Sequence, residues 1–242
     1  MVAAVSYLLS RRRFGDSIST PVRWVVVATA VAGGAIGSKL LFLLEEPRLT
    51  AQNLHNPTYL TGGKTIVGAL VFGLLSVELM KRYTGVKPST GDLYVIPLAL
   101  GIAIGRIGCF LTGLSDNTYG IPTSLPWGVN FGDGLPRHPT QIYEIVFLLL
   151  LTPVLYRILQ AISRTREGTP SLFRSGDAFK FFMVAYLSFR LLCDFIKPYP
   201  RLFLGLGGIQ WVCLLVLLYY SSDIGRWLRT ASSLFSLDWR QI

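Results

Sequence analysis

The sequence predicts an all-α polytopic membrane protein with about six transmembrane helices, both termini in the cytoplasm, and a small outward-facing cap loop. Three observations support this fold class. Hydrophobic residues make up 51% of the 242 residues and charged residues only 15%, which is more apolar than an ordinary soluble domain. The apolar residues fall into runs of about 20, the length that crosses a bilayer. Basic residues collect between these runs on one side.

The chain is predicted to form a single transmembrane domain, residues 1–242. The apolar N-terminal stretch is too short to span and ends at three consecutive arginines, so residues 1–21 are expected to form an interfacial segment without a cleavable signal. A six-helix core covers residues 22–222, and residues 223–242 form a cytoplasmic tail. The predicted spans are 22–44, 62–80, 91–113, 140–161, 177–196 and 202–222.

Charge sets the orientation of these spans. Basic residues crowd the predicted cytoplasmic side, including the polar linker 163–175 and the tail with Arg240. The two outer loops are 45–61, expected to lie along the interface, and 114–139, whose glycines, prolines, asparagines and aspartates predict a turn-rich cap. The outer side carries only Arg48, Arg137, Lys197 and Arg201.

The net charge of +10 does not indicate a nucleic-acid partner, because the basic residues are spread between hydrophobic runs and form no clustered patch. The three cysteines lie within predicted spans and lack metal-ligand spacing, so neither a metal site nor a disulfide framework is expected. No cofactor is expected either. Two glycine-rich stretches, 33–37 and 101–108, are typical of faces where helices pack closely.

Four basic side chains fall in the outer parts of predicted spans: Lys39, Lys64, Arg106 and Arg190. A charge inside a bilayer costs at least about 2.5–3.5 kcal/mol. Each therefore needs a partner, a water-filled cavity or an anionic ligand. Because neighbouring spans run in opposite directions, their charges are predicted to share one depth.

Two carboxylates, Glu144 and Asp194, are predicted at the same depth. Against the four cations they leave a surplus of two positive charges. Arg190 and Asp194 are expected to pair at i,i+4 spacing. An arginine suits a phosphate because its guanidinium donates two parallel hydrogen bonds. The sequence thus predicts a pocket that binds the anionic headgroup of an outer-leaflet phospholipid.

Three stretches carry a resemblance to a known family. Residues 105–110 read Gly-Arg-Ile-Gly-Cys-Phe, residues 126–129 Pro-Trp-Gly-Val, and residues 137–144 Arg-His-Pro-Thr-Gln-Ile-Tyr-Glu. In content and order they resemble the prolipoprotein diacylglyceryl transferases. These bacterial inner-membrane enzymes move diacylglyceryl from phosphatidylglycerol to the thiol of a lipobox cysteine and release glycerol phosphate. The resemblance covers residues 33–220.

The resemblance implies roles for several side chains. Arg106 corresponds to the phosphatidylglycerol-binding arginine of the family, Arg190 to an arginine needed for activity, and Tyr186 to a nearby tyrosine. The remaining candidates are expected to support these residues: Gly105, Gly108, Cys109 and Asp194.

Three positions depart from the family pattern. Thr61 stands where the family has a histidine, Cys109 where it has an asparagine, and Leu114 where it has an acidic residue. The family histidine is a proposed base for the acceptor thiol. The sequence thus indicates a divergent member with a different protein or lipid acceptor. The alternative is a non-catalytic phospholipid-binding or lipid-transport protein that keeps the headgroup site.

A catalytic base is still available on the outer side. His138 precedes the fourth span, and Glu144, six residues later, is an orienter of His138 or an alternative base. Cys109 lies on the same helix face as Arg106 and could act as a nucleophile, although an inert buried thiol is the favoured interpretation.

Overall fold

The computed structural model describes residues 2–15, 18–166 and 172–238. Part of the predicted linker 163–175, and Arg240 of the predicted tail, lie outside the described residues. The helices are α1 Val2–Phe14, α2 Thr20–Glu45, α3 Pro47–Gln52, α4 Pro57–Thr61, α5 Ile66–Thr84, α6 Val95–Thr112, α7 Thr140–Arg166, α8 Asp177–Cys193, α9 Gly208–Tyr219 and α10 Ser221–Asp238.

Within the described ranges, three helical segments are long and apolar enough to cross a membrane: Thr20–Glu45, Asp92–Asp116 and Thr140–Thr165. A fourth is the pair α9–α10, if the two helices are counted as one span bent by 53°. The predicted second and fifth spans are also helices, but α5 carries three charged residues and α8 has only 17 residues. The all-α polytopic class is confirmed, while six spans and cytoplasmic termini stay predictions.

The predicted sixth span, 202–222, begins too early. Leu204 and Gly205 have φ angles of 50° and 73°, a left-handed conformation that ends regular structure. The chain turns back here, with the Leu202 N–H donating to the Leu206 carbonyl at 2.9 Å. The helix therefore begins only at Gly208.

The chain forms two compact units. The first comprises Met1–Asp16, Ser89–Pro198 and Leu217–Ile242, and the second comprises Ser17–Pro88 and Tyr199–Val216. The prediction of a single transmembrane domain stays a prediction.

In the second unit, α2 packs against α5 through glycines. A Cβ added to Gly37 would lie 2.6 Å from the Gly68 carbonyl oxygen and against the Phe72 side chain. Thr65 caps α5 by accepting from the Gly68 N–H at 3.2 Å. The predicted close packing at 33–37 is confirmed, because only glycine permits this backbone approach.

The prediction of close packing at 101–108 is wrong for Gly105 and Gly108, whereas a Cβ added to Gly101 would lie 4.0 Å from the Ala3 Cβ of α1. A Cβ added to Gly105 or Gly108 would meet no described atom within 4 Å. Small residues permit close helix approach, but they do not require it. Gly105 and Gly108 thus flank Arg106 on the helix without packing tightly against a neighbour.

In the first unit, α6 packs against α7, α7 against α8, and α1 against α6. Phe147 of α7 stacks on Phe189 of α8 with 4.4 Å between the ring centroids. At the start of α8, Asp92 accepts from the Gly176 and Phe179 N–H groups at 2.6 and 3.1 Å. These contacts fix the register of the helices that carry the site.

The loop 114–139, which is predicted to face outward, contains a short antiparallel hairpin of Val129–Asn130 and Pro136–Arg137. Its turn has two glycines with positive φ, Gly132 and Gly134, whose N–H groups donate to the Asn130 side chain. The turn-rich character predicted for this loop is confirmed.

Candidate functional site

Three helices of the first unit each place a charged residue at the end of a buried apolar stripe. On α6 the stripe Val95, Ala99 and Ala103 ends at Arg106. On α8, Phe182 and Met183 lead to Tyr186 and Arg190. On α7 the buried residues Leu155, Leu151 and Leu148 lead to Glu144. Along each helix the buried residues recur every three to four positions. Each charged side chain therefore lies on the buried face of its helix.

Glu144 is the centre of this cluster and is 1% exposed. One of its oxygens, Oε2, lies 2.9 Å from Arg106 Nε and 3.6 Å from Arg190 Nη1. The other, Oε1, accepts a hydrogen bond from the Tyr186 hydroxyl at 2.7 Å. One carboxylate thereby joins the two arginines predicted to bind phosphate. Both oxygens of Glu144 are thus engaged by neighbouring side chains, which argues against Glu144 as the base.

Arg190 also pairs with Asp194, with 2.8 Å between Nη2 and Oδ1. This confirms the predicted i,i+4 pair. Asp194 lies in turn 4.0 Å from the ammonium of Lys197, which is 3% exposed. Lys197 was predicted as one of the basic residues of the outer loops and not as part of the site. The sequence signal for its place in the site is its i,i+3 spacing from Asp194.

The charge balance of the cluster differs from the prediction. Arg106, Arg190 and Lys197 face Glu144 and Asp194, so three cations and two carboxylates leave one positive charge. The predicted surplus was two, with Lys39 and Lys64 contributing. Both arginines have carboxylate partners, and the buried surplus depends on Lys197. A singly charged phosphodiester would neutralise it.

The charge of Lys197 is sensitive to pH. Lys197 follows the predicted span 177–196, and its burial, together with the nearby Arg190 and Arg106, lowers its pKa from 10.5 to about 8. The lysine is more readily deprotonated in the folded than in the unfolded chain. Between about pH 8 and 10.5 the unfolded state holds the extra proton, so the stability from this group increases with pH there. Anion binding should change in the opposite direction.

We expect the affinity for a short-chain phosphodiester, which keeps one negative charge, to fall about tenfold as the pH rises through 8. The measurement is a binding titration in detergent from pH 6.5 to 9.5. Lys197→Arg should remove the dependence, because arginine stays charged, while the change Lys87→Arg at an exposed position should keep it. Equal pH profiles for all three proteins would contradict this assignment.

His138 has a different partner from the one predicted. Its Nδ1 lies 3.1 Å from the Tyr143 hydroxyl, which also accepts from Trp127 Nε1 at 2.8 Å. The Gly120 N–H donates to the His138 carbonyl at 2.8 Å. The imidazole is thus oriented by Tyr143 and by the cap loop, and its predicted contact with Glu144 is replaced by the contact with Tyr143.

Cys109 lies beside Arg106, as predicted, with 3.8 Å between its Sγ and Arg106 Nη1. A thiol is a weak acceptor. A phosphate oxygen would bind the same guanidinium nitrogen more strongly. The contact is consistent with the inert interpretation of this cysteine.

The remaining candidates lie in the second unit. Lys39 donates to the Gly62 carbonyl at 2.7 Å and to the Tyr59 and Gly63 carbonyls at 3.4 Å. Its ammonium is therefore satisfied by backbone oxygens at the end of α4. Lys64 is exposed, as is Thr61, whose hydroxyl donates to the Pro57 carbonyl at 2.7 Å. Phosphate binding by Lys39 and Lys64 stays a prediction.

Comparison with known proteins identifies the relationship. A family model for prolipoprotein diacylglyceryl transferase matches residues 1–221, which extends the predicted resemblance over α1 as well. Relatives named phosphatidylglycerol–prolipoprotein diacylglyceryl transferase occur in Clostridium tetani, with 34% identity over 83% of this chain and 78% of the relative, and in Bordetella parapertussis, with 33% over 84% and 76%. One from Nitratidesulfovibrio vulgaris is 31% identical over 82% and 70%. The chain therefore belongs to the prolipoprotein diacylglyceryl transferase family.

Proposed function

We propose that this protein transfers diacylglyceryl from phosphatidylglycerol to the cysteine thiol of a prolipoprotein, at the outer face of a bacterial inner membrane. The observation that carries the proposal is the cluster at Glu144. Two arginines from different helices are held by one buried carboxylate, and with Asp194 and Lys197 the cluster has one net positive charge. A lipid phosphodiester has the matching charge, and its oxygens suit guanidinium donors.

The proposed reaction uses this cluster to stabilise the leaving group. The acceptor sulfur attacks the carbon of the diacylglyceryl group that is bonded to the phosphate oxygen. A carbon–sulfur bond forms while the bond from that carbon to the phosphate oxygen breaks. The electron pair of the broken bond stays on the departing glycerol phosphate, whose charge increases. Arg106 and Arg190 are fixed before the reaction, so they stabilise this charge with little reorganisation.

The proton of the acceptor thiol goes to His138 in this proposal. A neutral imidazole has a basic nitrogen near physiological pH, and Tyr143 orients the ring through Nδ1 at 3.1 Å. In the tautomer whose Nδ1–H donates to the Tyr143 hydroxyl, Nε2 is the proton-accepting atom. This assignment gives the chain a base even though Thr61 replaces the family histidine.

The departures from the family pattern and the names of the relatives indicate different acceptors. Thr61, Cys109 and Leu114 led to the prediction of a different acceptor, but the relatives compared above are all named for a prolipoprotein acceptor. We therefore propose the prolipoprotein. The different acceptor stays a prediction that the following experiment distinguishes.

The test uses the purified full chain in vesicles of phosphatidylglycerol with a lipobox peptide. We expect one diacylglyceryl-modified peptide for each glycerol phosphate released, and no modification of the Cys→Ser peptide. Release of glycerol phosphate without peptide modification would indicate a different acceptor. Lipid binding without release in the presence of the peptide would contradict the transferase proposal and favour the passive lipid-binding alternative.

A further inference from the structure

Gln141 is a buried amide next to the ion-pair cluster. Its side chain is 1% exposed, and neither Oε1 nor Nε2 has a hydrogen-bond partner among the residues that the structure describes. Leaving a buried amide unpaired is energetically unfavourable. A side chain of this kind is well suited to bind a ligand that supplies both a donor and an acceptor.

The position of Gln141 relates it to the phosphate site. It lies three residues before Glu144 on α7, and both are buried on the helix face that continues through Leu148. Residues three apart on a helix are neighbours. The preceding residue, Thr140, donates its hydroxyl to the Thr118 carbonyl and ties the start of α7 to the cap loop. Gln141 thus lies one turn from the carboxylate that holds both arginines.

We propose that Gln141 binds the terminal glycerol of the phosphatidylglycerol headgroup and makes this lipid the preferred donor. The proposal rests on the proposed function. The amide oxygen accepts from one hydroxyl of the glycerol and the amide nitrogen donates to another. A glycerol hydroxyl both donates and accepts, so a vicinal diol satisfies both atoms of the amide.

Other parts of the substrates fit this amide less well. The phosphate is better matched by Arg106 and Arg190, which supply charged donors, whereas Gln141 is neutral. The glycerol is esterified to that phosphate, so it lies within a few bonds of the arginines. The peptide backbone of the acceptor also carries donors and acceptors. However, the peptide has no covalent bond to the phosphate that would hold it near Gln141. Binding of the peptide by Gln141 is therefore one outcome that the test distinguishes.

The experiment compares two donors, phosphatidylglycerol and phosphatidylethanol, whose shorter headgroup lacks both hydroxyls of the diol. Both kcat/KM with a lipobox peptide and donor affinity are measured for the wild type, for Gln141→Met, and for Leu148→Met as a control on the same helix face. We expect the wild type to prefer phosphatidylglycerol. Gln141→Met should lower kcat/KM and affinity for phosphatidylglycerol at least about tenfold, and change those for phosphatidylethanol less than about twofold. Leu148→Met should keep the wild-type preference.

Stability distinguishes a ligand contact from a structural role. Methionine has nearly the volume of glutamine and removes the two unpaired polar atoms, so Gln141→Met should keep or raise the unfolding temperature of the lipid-free protein. A clear decrease would overturn the proposal. An equal loss with both donors would also overturn it and assign Gln141 to the acceptor peptide. If the wild type turns over neither donor, the proposed function fails, and the ratio of donor affinities still decides the role of Gln141.

Discussion

Arg106→Gln is expected to lower kcat/KM for phosphatidylglycerol by about 10²–10³-fold, the loss typical when one preorganised donor to a developing negative charge is removed. The effect should fall mainly on kcat, because the charge on the phosphate grows as glycerol phosphate departs. The measurement is the initial rate of glycerol phosphate release in vesicles of varied phosphatidylglycerol content.

Two variants make this result specific. Arg106→Lys keeps the charge but loses the paired donors, so its activity should lie between those of the wild type and Arg106→Gln. Arg82→Gln removes an exposed cation from the last turn of α5 and should leave the rate unchanged. Wild-type turnover in Arg106→Gln would contradict the role assigned to this arginine.

Glu144→Gln should give the largest loss of stability. It leaves Arg106 and Arg190 buried with an amide in place of the carboxylate that joins them, and breaking a buried ion pair on one side costs about 3–5 kcal/mol. The measurement is unfolding in detergent, followed by helical signal and by activity. Glu78→Gln, which removes from the pair with Lys81 a carboxylate whose side chain is 51% exposed, should leave the unfolding transition in place.

A double variant separates stability from catalysis. Adding Arg106→Gln to Glu144→Gln removes one of the uncompensated cations, so part of the lost stability should return while activity stays absent. If the double variant were less stable than the wild type by the sum of the two single losses, the two side chains would not be coupled. The central position given to Glu144 would then be wrong.

The site residues were largely predictable from sequence where the interaction is local. The pair Arg190–Asp194 follows from i,i+4 spacing within one helix, and the contact of Arg106 with Cys109 follows from i,i+3 spacing. The joining of both arginines by Glu144 depends on how α6, α7 and α8 pack, which no local spacing determines. The predicted common depth placed these residues near one another, but it did not indicate that one carboxylate contacts both cations.

The predictions that were wrong also have physical explanations. Lys197 precedes Pro198 at the end of a span and resembles a solvated loop cation, although the fold buries it beside Asp194. The apolar run from residue 202 looks like the start of a helix, but the left-handed turn at Leu204–Gly205 prevents it. Glycines at 105 and 108 permit close packing that the neighbouring helices do not use.

The position of the donor phosphate tests the central claim most directly. In an experimental structure of the protein in phosphatidylglycerol nanodiscs, we predict phosphate oxygens within about 3 Å of guanidinium nitrogens of both Arg106 and Arg190, with Glu144 still between the two arginines. A phosphate held by Lys39 and Lys64, with both arginines bound to carboxylates alone, would contradict the account.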